Sequence, residues 1–575
     1  MLACHTSVEQ RRLRLLAGVV ALLGIVCAVR LFYIQIVQGT YFAEAAEGQF
    51  KASAGYVPYD RGSIYFTSKS GQSLSAASLS SGYLLALNPK LVSNPEEVAN
   101  ILAPITGLPE TEILAKASKS DDPYEELVHH ISNEAASSIK ALKLGGVLLV
   151  REQWRFYPAG DLAAQVLGFV GYDGDDYNGR YGVERQYDAS LTRKPVNPYS
   201  NFFSDVFLGL KEDVFDQGKA RSADVVLTIE PGVQALLESK LNELMREWKA
   251  RSAAGVIIDP KTGEIVAMAG VPSFDPNDYG KAADPSVYEN PLVENVYELG
   301  SIMKPITIVA GLDSGKLKAD TTYIDKGFIE LNGKKISNYD GKARGLTSMQ
   351  DVLNQSLNVG AAYAESLMGK DIYRTYLQRF GFFDKTDVDL PNEATNLMDN
   401  LNSGHQVDFA TAAFGQGIAV EPLSMVRALA ALGNGGHIVK PHVTKSIDYT
   451  LGLSEEIKPI EQGRAISRES SDEITRMLVK VVDEHLAAGK LKMEHYSIAA
   501  KTGTAQIANP NGGGYYDDRY LHSFFGYFPA YKPRFLVFLM MREPQNVEYA
   551  SETLTMPFRD IARFLISYYD IPPDR

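Results

Sequence analysis

The C-terminal part of the chain alternates between strand-like and helix-like hydrophobic patterns. An apolar strand, an amphipathic helix, a second strand, a turn and a return strand follow one another in VVLTIEPGVQALLESKLNELMREWKARSAAGVIIDPKTGEIVAMAG. Later helical segments alternate with further apolar strands, the last of which is RFLVFLMM near the C-terminus. These patterns predict an α+β fold, with a sheet whose first and last strands are far apart in sequence.

The chain between about Gln49 and Lys219 has a weaker pattern. Strand-like pieces mix there with helical patches such as DPYEELVHHISNEAASSIKALKLGG, which predicts that His129 and His130 lie on a helix. The stretch RKPVNPYSNFFSDVFLGLKEDVFDQGKARSAD is rich in Pro, Asn, Ser and Gly and is typical of a connector or surface loops. We therefore expect a mixed α/β N-terminal module over 38–221, followed by a second domain over 222–575.

An apolar run with positive charge before it lies at the N-terminus. Three arginines precede Leu15–Val29, and the apolar character resumes after Arg30 and continues to Val37. Because a bilayer core of ~30 Å needs ~20 helical residues, we expect a transmembrane helix over 15–37, with Arg30 reaching the outer interface. The arginines favour a cytoplasmic tail over 1–14, which predicts a single-pass protein of the cell membrane with the part after residue 37 outside the cytoplasm.

A cleaved signal peptide is the competing interpretation of the N-terminus. The small-residue motif that cleavage needs occurs at Ala43 and Ala45, but it lies farther from the apolar run than usual. We therefore favour the uncleaved anchor. The two cysteines, Cys4 and Cys27, lie before and inside this anchor, so the predicted extracytoplasmic part has no thiol for a disulfide, a nucleophile or a metal.

Composition and charge narrow the possible functions. The chain is 45% hydrophobic and 22% charged, which is ordinary for a globular protein. A net charge of −13 and the lack of any dense Lys/Arg block argue against a nucleic-acid partner. The histidines are scattered, and none forms a pair at the spacing of metal ligands, so we expect neither a metal nor another cofactor.

The triplet Lys-Thr-Gly occurs twice in the sequence. At Lys261 it lies between two apolar strands, in Asp-Pro-Lys-Thr-Gly, where the residues are those that favour a turn. At Lys501 no turn residue precedes the lysine, and Gly503 removes a side chain where another backbone could approach closely. Thr502 and Thr504 share one face of this strand, and a lysine on a solvent face is the ordinary alternative.

A possible nucleophile lies in YELGSIMKPITIVAGLDSGK. Ser301 follows a glycine and precedes a predicted helix, so free backbone N–H groups and the helix dipole favour an anion beside it. Lys304 lies one helical turn further, within reach of the serine Oγ, and an unprotonated lysine could activate that serine. A second Ser-x-x-Lys begins at Ser137, but it lies inside an amphipathic helix, where a solvated face is the simpler interpretation.

A third element is Ser356-Leu-Asn358 in LNQSLNVGAAYAESL. Taken alone, Ser356 or Asn358 is best interpreted as a helix N-cap. The ordered set of Ser-x-x-Lys, Ser-x-Asn and Lys-Thr-Gly is, however, characteristic of penicillin-binding proteins and class A β-lactamases. The sequence resembles a class B penicillin-binding protein, a membrane-anchored peptidoglycan D,D-transpeptidase, over nearly its whole length.

Further segments carry the same resemblance, with a few departures. The stretch RFYPAGDLAAQVLGFVGYDGDDYNGRYGVERQYDASL is similar to the family's N-terminal pedestal or dimerisation-like module, and FGQGIAVEPLSMVRALAALGNGG and HSFFGYFPAYKP are similar to its transpeptidase domain. FTSKSG follows RGSIY where a different turn is usual, Leu299 replaces a proline, and Glu421 replaces a threonine. The resemblance implies a penicillin-recognising transpeptidase fold with a central antiparallel sheet, flanking helices and an all-helical part.

The resemblance also implies a role for each motif residue. Ser301 would attack the penultimate D-Ala carbonyl of a stem peptide, Lys304 would accept its proton, and Ser356 would relay a proton to the leaving amine. The expected substrate-binding residues are Asn358, Lys501, Thr502, Gly503 and Thr504. An amine of a second stem peptide would then complete the crosslink, and β-lactams would block the serine.

Alternative functions and the partners of the chain follow from the same resemblance. A D,D-carboxypeptidase or a β-lactamase-type hydrolase would use the same residues with water as acceptor. A non-catalytic cell-wall scaffold or a β-lactam sensor is an alternative from a different functional class. The motif SLNVG is more typical of septal, cell-division members than of elongation members. Expected partners are stem peptides, a polytopic glycan polymerase and other cell-wall synthesis proteins in the membrane.

Overall fold

The computed structural model describes residues 60–174, 176–193, 222–450, 452–510, 512 and 514–575, with the single residues 18, 22 and 30. The predicted anchor over 15–37 lies outside the described residues except at those three positions, and the motif at Ala43 and Ala45 lies entirely outside them. Most of the predicted connector is also outside them. Within the described ranges, no helix combines the length and the hydrophobicity needed to cross a membrane.

The chain forms two compact units, and neither is continuous in sequence. Apart from Asp60 and the single residues 18, 22 and 30, the described part of the first unit is Ser81–Trp154. The second unit contains Arg61–Ser80, Arg155–Arg193 and Ala220–Arg575. The predicted module boundary at 221/222 falls beside residues that are not described and stays a prediction.

The first unit packs helices on a small sheet. The later part of the strand Ser73–Leu87 pairs with Glu125–Ile131, which is antiparallel to it, and with Val147–Phe156. The 3-10 turn Pro89–Leu91 follows the first of these strands. The helices of the unit are Pro95–Thr106, Glu110–Ala117 and Asn133–Ala141. Their apolar residues form a separate hydrophobic core with the strands.

The helical prediction for His129 and His130 is wrong. Both histidines lie on the strand Glu125–Ile131, and a helix begins only at Asn133. The short apolar run in this segment fits either period, and pairing with the neighbouring strand decides between them. The side chain of Ser132 accepts a hydrogen bond from the backbone N–H of Ala135 and so fixes where the helix begins.

A five-stranded antiparallel sheet forms the centre of the second unit. Its strands are, in spatial order, Ala499–Ala508, Tyr515–Phe528, Phe535–Arg542, Ser252–Ile258 and Ile265–Val271. The prediction that strands distant in sequence share one sheet is therefore confirmed. The inner strands are near-continuous apolar runs because both faces of the sheet are covered.

Helices cover this central sheet and extend into an all-helical part. Pro231–Trp248 and Thr555–Tyr568 pack on the sheet, and Arg468–Lys480 contacts its edge strand Ala499–Ala508. The helix Lys304–Asp313 is buried from Lys304 to Gly311 and lies at the centre of the helical part. Its neighbours include Met349–Asn354, Asn358–Met368, Lys370–Arg379, Pro422–Gly433 and Arg468–Lys480. The remaining α-helices in the described part of this unit are Ala164–Leu167, Gly182–Gln186, Asp188–Leu191, Gln406–Ala412 and Ala550–Thr553.

Smaller sheets complete the second unit. One contains Ser454–Glu456, Thr444–Tyr449, Ala223–Leu227, Ile64–Thr67 and the first part of Ser73–Leu87. Four two-stranded sheets pair Val170–Asp173 with Asp176–Gly179, Thr322–Asp325 with Gly345–Ser348, Phe328–Leu331 with Lys334–Ser337, and His437–Val439 with Glu461–Arg464. The strand Lys334–Ser337 matters for function because it reaches the side chain of Asn358, described below.

Candidate active site

Ser301 lies at the start of the central helix, as predicted. It is in the 3-10 turn Gly300–Met303, which leads directly into the helix Lys304–Asp313. Gly300 has a φ of +65°, a conformation that glycine adopts without strain. Ser301 itself is half-buried, while the residues that follow it are buried. Within the described chain, the Ser301 hydroxyl makes no hydrogen bond to another protein group.

Glycines allow the edge strand to lie directly against this turn. A Cβ at Gly503 would come within 2.6 Å of the Leu299 carbonyl oxygen and 2.3 Å of the Ser523 Oγ. The Ser523 hydroxyl donates to the Leu299 carbonyl at 2.7 Å and ties the turn to the sheet. The expectation that Gly503 permits a close approach of another backbone is therefore confirmed, and that backbone is the one that carries Ser301.

Lys304 is fully buried and points at the second motif. Its Nζ donates to the backbone carbonyl of Ser356 at 2.5 Å and to the Asn358 Oδ1 at 2.8 Å, and it lies 3.2 Å from the Ser356 Oγ. The Asn358 amide nitrogen donates to the Ser337 carbonyl at 3.0 Å, which turns the Asn358 oxygen toward the lysine. One buried amine therefore joins the first motif to the second.

Burial lowers the pKa of both lysines. The pKa of Lys304 is well below its ordinary value, because burial disfavours its charge and because Lys501 is close. Burial alone lowers the pKa of Lys501 to about 7. At neutral pH, Lys304 can therefore hold a free electron pair 3.2 Å from the Ser356 hydroxyl, in the cleft that Ser301 lines, which is the requirement for a base.

Ser356 lies at the centre of this cluster in a strained backbone conformation. Its φ is +55°, which is unusual for a residue with a side chain and is frequent at functional sites. The N-cap interpretation is wrong for both Ser356 and Asn358. The helix Asn358–Met368 has Leu357 at its N-cap position and no side-chain cap. Both polar side chains instead form hydrogen bonds with Lys304.

Lys501 does not lie on a solvent face. It is 2% exposed, and its Nζ donates to the Ser356 Oγ at 2.9 Å and to the Thr502 carbonyl at 3.0 Å. Thr502 and Thr504 are half-buried, and the Thr504 Oγ1 accepts a hydrogen bond from the Ala550 N–H at 3.1 Å. The two lysines thus approach one hydroxyl from separate segments of the chain.

A cleft of about 540 Å³ brings all three motifs together. The predicted site residues that line it are Ser301, Ser356, Asn358, Lys501, Thr502 and Thr504. Lys304 lies beneath, and Gly503 faces the turn that carries Ser301. The sequence did not predict a further set of lining residues: Tyr339, Gln416, His485, Gln506, Tyr520, Glu548, Tyr549 and Ser551. Gln506 lies on the strand Ala499–Ala508 that carries the third motif, Tyr520 lies on the strand Tyr515–Phe528, and His485 ends the helical segment Val481–His485. Only Gln506 and Gln416, the latter in FGQGIAV, belong to segments that the sequence had already marked.

The duplicate motifs have ordinary structural roles. Lys261 is exposed in a turn between two strands, its N–H bonds to the Asp259 carboxylate at 2.8 Å, and Gly263 has a φ of +80°. Ser137 and Lys140 lie exposed on the helix Asn133–Ala141. Both simpler interpretations are confirmed.

The departures from the family pattern lie beside the cluster or away from it. Leu299 is buried, and its carbonyl accepts the hydroxyl of Ser523. Glu421 is buried before the helix Pro422–Gly433, where burial raises the pKa of its carboxyl to about 9. FTSKSG forms the hairpin between the strands Ile64–Thr67 and Ser73–Leu87. None of the three supplies a group to the cleft.

Two protein families match the chain. Residues 253–563 match the penicillin-binding protein transpeptidase domain, and residues 57–195 match the penicillin-binding protein dimerisation domain. The Bacillus subtilis stage V sporulation protein D is 32% identical over 97% of this chain and 85% of its own length. The Escherichia coli peptidoglycan D,D-transpeptidase FtsI is 28% identical over 78% of this chain and 73% of its own length.

Solved structures support the same fold. The Mycobacterium tuberculosis penicillin-binding protein 3 in complex with aztreonam has a TM-score of 0.69 at 24% identity, covering 90% of this chain and 98% of that one. Penicillin-binding protein 2X from Streptococcus thermophilus has a TM-score of 0.71 at 21% identity, and the match covers 90% of this chain and 81% of that one. The predicted transpeptidase fold is therefore confirmed, and the chain belongs to the penicillin-binding protein transpeptidase family.

Proposed function

We propose that this protein is a serine D,D-transpeptidase that crosslinks peptidoglycan stem peptides through an acyl-enzyme on Ser301. The observation that carries the proposal is the meeting of Lys304 and Lys501 at the Ser356 hydroxyl, in the cleft that Ser301 lines. Relatives named as D,D-transpeptidases support the reaction class.

Lys304 acts as the base for Ser301. The carbonyl of Ser356 and the Oδ1 of Asn358 can only accept hydrogen bonds, so they engage two N–H groups of the lysine. A neutral amine has two N–H groups and one electron pair, and the electron pair then remains for a serine hydroxyl. Asn358 and the Ser356 backbone therefore orient the base as well as bury it.

Ser356 carries the proton onward to the leaving group. Its hydroxyl oxygen accepts from Lys501 at 2.9 Å and lies 3.2 Å from the Lys304 Nζ. A hydroxyl between two amines can take a proton from one and pass one to the amine of the departing D-Ala. The strained φ of Ser356 holds its hydroxyl between them.

The edge strand provides the binding groups for the donor peptide. The Thr504 carbonyl lies 2.9 Å from the position of a Cβ on Gly300, so this part of the strand's free edge faces the turn of Ser301. The backbone N–H groups of Ser301 and Thr504 would hold the oxyanion, a contribution of ~2.7–4 kcal/mol for one donor. Thr502 and Thr504 would bind the terminal carboxylate, with Lys501 providing positive charge.

We also propose the cellular setting from the sequence. The arginine-flanked apolar segment over 15–37 would anchor the protein in the cell membrane, with the N-terminus in the cytoplasm and the catalytic domain outside. The motif SLNVG favours a role in septal synthesis. The anchor and N-terminal module would contact a polytopic glycan polymerase and other cell-wall synthesis proteins. Depletion of the protein tests the cellular role, because loss of a septal enzyme gives filaments and loss of an elongation enzyme gives round cells.

An assay with two peptides tests the reaction. The protein is incubated with a stem peptide that ends in D-Ala-D-Ala and with an amine acceptor peptide, and the products are separated by mass. We expect free D-Ala and a crosslinked dimer. A product shortened by one D-Ala without any dimer would instead indicate a D,D-carboxypeptidase.

Two variants control this assay. Ser301→Ala removes the nucleophile and should abolish both products. Ser137→Ala alters the duplicate motif on the first unit and should leave both unchanged. Product formation by Ser301→Ala would refute the proposed nucleophile, and no reaction of the unaltered protein with either peptide or penicillin would favour a scaffold.

A further inference from the structure

His522 is a buried polar residue that the proposed reaction does not use. It lies on the second strand of the central sheet, Tyr515–Phe528, directly opposite Thr504 of the edge strand. Its ring is fully buried, and both of its nitrogens have partners. The Nδ1 lies 2.9 Å from the Thr553 Oγ1, and the Nε2 lies 3.0 Å from the backbone carbonyl of Glu548.

The chemistry of these partners fixes the state of the ring. A backbone carbonyl can only accept, so the Nε2 of His522 carries a proton and donates it to the carbonyl of Glu548. Burial lowers the pKa of His522 to about 4, so the ring is neutral at physiological pH. The Nδ1 of a neutral ring with a protonated Nε2 accepts, and the Thr553 hydroxyl is therefore its donor. His522 thus holds two points of one segment, 548–553.

This segment forms one wall of the cleft. Its residues Glu548, Tyr549, Ala550 and Ser551 line the cleft beside Thr502 and Thr504. The Ala550 N–H donates to the Thr504 Oγ1 at 3.1 Å. That bond occupies the oxygen of the threonine as an acceptor and leaves its hydroxyl proton free to point into the cleft.

We propose that His522 is a positioning residue that fixes Thr504 as a donor to the substrate carboxylate, acting through the Glu548 carbonyl and the Ala550 N–H. The inference rests on the proposed function, because it requires that a substrate carboxylate binds at Thr504. It adds a specificity determinant that the three sequence motifs do not contain. Loss of the bond to Glu548 would free the wall segment and leave the Thr504 hydroxyl without a fixed orientation.

Two amide variants separate the two bonds of the ring. The amide nitrogen of Gln can take the place of the Nε2, so His522→Gln keeps the donor to Glu548. The side chain of Asn is shorter and reaches only the place of the Nδ1. His522→Asn therefore keeps the contact with Thr553 and leaves the Glu548 carbonyl without a hydrogen-bond donor. The measurement is the second-order acylation rate constant for benzylpenicillin and for its methyl ester, which lacks the carboxylate.

The expected result is a loss of discrimination between acid and ester. His522→Asn should lower the rate for the acid by about tenfold, as expected for one unmade hydrogen bond at a buried polar group, and should leave the ester rate almost unchanged. His522→Gln should retain most of the preference for the acid. Equal loss with both compounds, or equal behaviour of the Asn and Gln variants, would overturn the proposal.

A double-mutant cycle tests whether His522 acts through Thr504. Thr504→Val removes the hydroxyl at nearly constant shape and should by itself lower the acid rate. Adding His522→Asn should then cost little more, because both changes remove the same interaction. Additive effects would overturn the inference and leave the proposed function intact. An unchanged acid rate in Thr504→Val would instead overturn the carboxylate-binding role of Thr504, and with it the inference, while the acyl transfer by Ser301 is tested separately by the two-peptide assay.

Folding of the variants is checked by the midpoint of thermal unfolding, and rates are expressed per folded protein. If His522→Asn does not fold, Thr553→Val tests the other end of the same link. It removes the donor to the Nδ1 and should shift the acid-to-ester ratio in the same direction by a smaller factor. A folded Thr553→Val protein that loses much more of the acid-to-ester preference than His522→Gln would overturn the role of the Glu548 bond, because both variants lose only the contact at the Nδ1.

Discussion

The two Lys-Thr-Gly triplets are identical in sequence and lie in opposite environments. Lys261 extends into solvent from a turn, while Lys501 is 2% exposed and donates to the Ser356 hydroxyl at 2.9 Å. Gly263 is needed for its positive φ, and Gly503 is needed because the turn that carries Ser301 lies against it. The comparison teaches that the chemistry of the triplet comes from its burial and from the segments it meets.

The two copies of Ser-x-x-Lys show the same contrast between a buried and an exposed lysine, and they give the largest expected effect on acylation. Lys304→Met removes the buried amine and keeps most of its volume, so the acylation rate by penicillin should fall by about 10²–10⁴-fold, the usual contribution of a general base. Lys140→Met makes the same change on the exposed duplicate and should leave the rate unchanged. A Lys304→Met protein that is acylated at the normal rate would show that another group is the base.

Changing the lysine of each Lys-Thr-Gly triplet gives the second-largest expected effect on acylation. Lys501→Met should lower acylation by about 10²–10³-fold, because it removes the positive group beside Ser356 and beside the substrate carboxylate. Lys261→Met, its matched control, should have no effect on the rate. If the two variants behaved alike, burial and contact with Ser356 would not be what distinguishes the triplets.

The glycines sharpen the comparison by separating activity from stability. Gly503→Ala places a methyl group against the Leu299 carbonyl and the Ser523 hydroxyl, so it should displace Ser301 and lower acylation by up to about 10²-fold. Gly263→Ala forces a side chain into a positive φ, with its Cβ 2.2 Å from the Lys440 carbonyl. It should cost at least about 1–2 kcal/mol of stability.

These glycine variants are compared by acylation per folded molecule and by the free energy of unfolding in urea. The Gly263→Ala protein should acylate normally once corrected for its folded fraction. A normal rate in Gly503→Ala with a large loss of stability would mean that this glycine has the same purely structural role as Gly263.

The pH dependence gives the smallest effect. The base is active only when Lys304 is neutral, so acylation should fall about tenfold per pH unit below the lowered pKa of that amine. The positive role of Lys501 requires its proton, so acylation should also fall as the pH rises above about 7. Lys501→Arg keeps the charge and should remove the alkaline limb, whereas Lys261→Met should keep the whole profile.

The ordered motifs, through the resemblance to the penicillin-binding protein family that they carry, were enough to predict which residues meet. The helix start at Ser301, the close approach at Gly503 and the turn at Lys261 each follow from local chemistry, and the structure agrees. Local reasoning failed where a distant segment decides. Ser356 and Asn358 have the composition of helix caps, but a buried lysine engages both side chains.

Other features could not be predicted from local sequence either, because contacts with segments distant in sequence determine them. The segment with His129 and His130 fits a helix by its pattern, and pairing with a strand about forty residues earlier makes it a strand. The cleft wall formed by Tyr339, Glu548 and Tyr549 comes from loops without any periodic pattern. His522 lies in an apolar strand, and its role becomes visible only through its contacts with Thr553 and Glu548.

The most direct test of the central claim is the site of covalent attachment of a penicillin. The protein is treated with benzylpenicillin and digested, and the modified peptide is sequenced by mass spectrometry. A single adduct on Ser301, lost in Ser301→Ala and kept in Ser137→Ala, is the predicted result. An adduct on any other residue, or a Ser301→Ala protein that still acquires one, would contradict the assignment of the nucleophile.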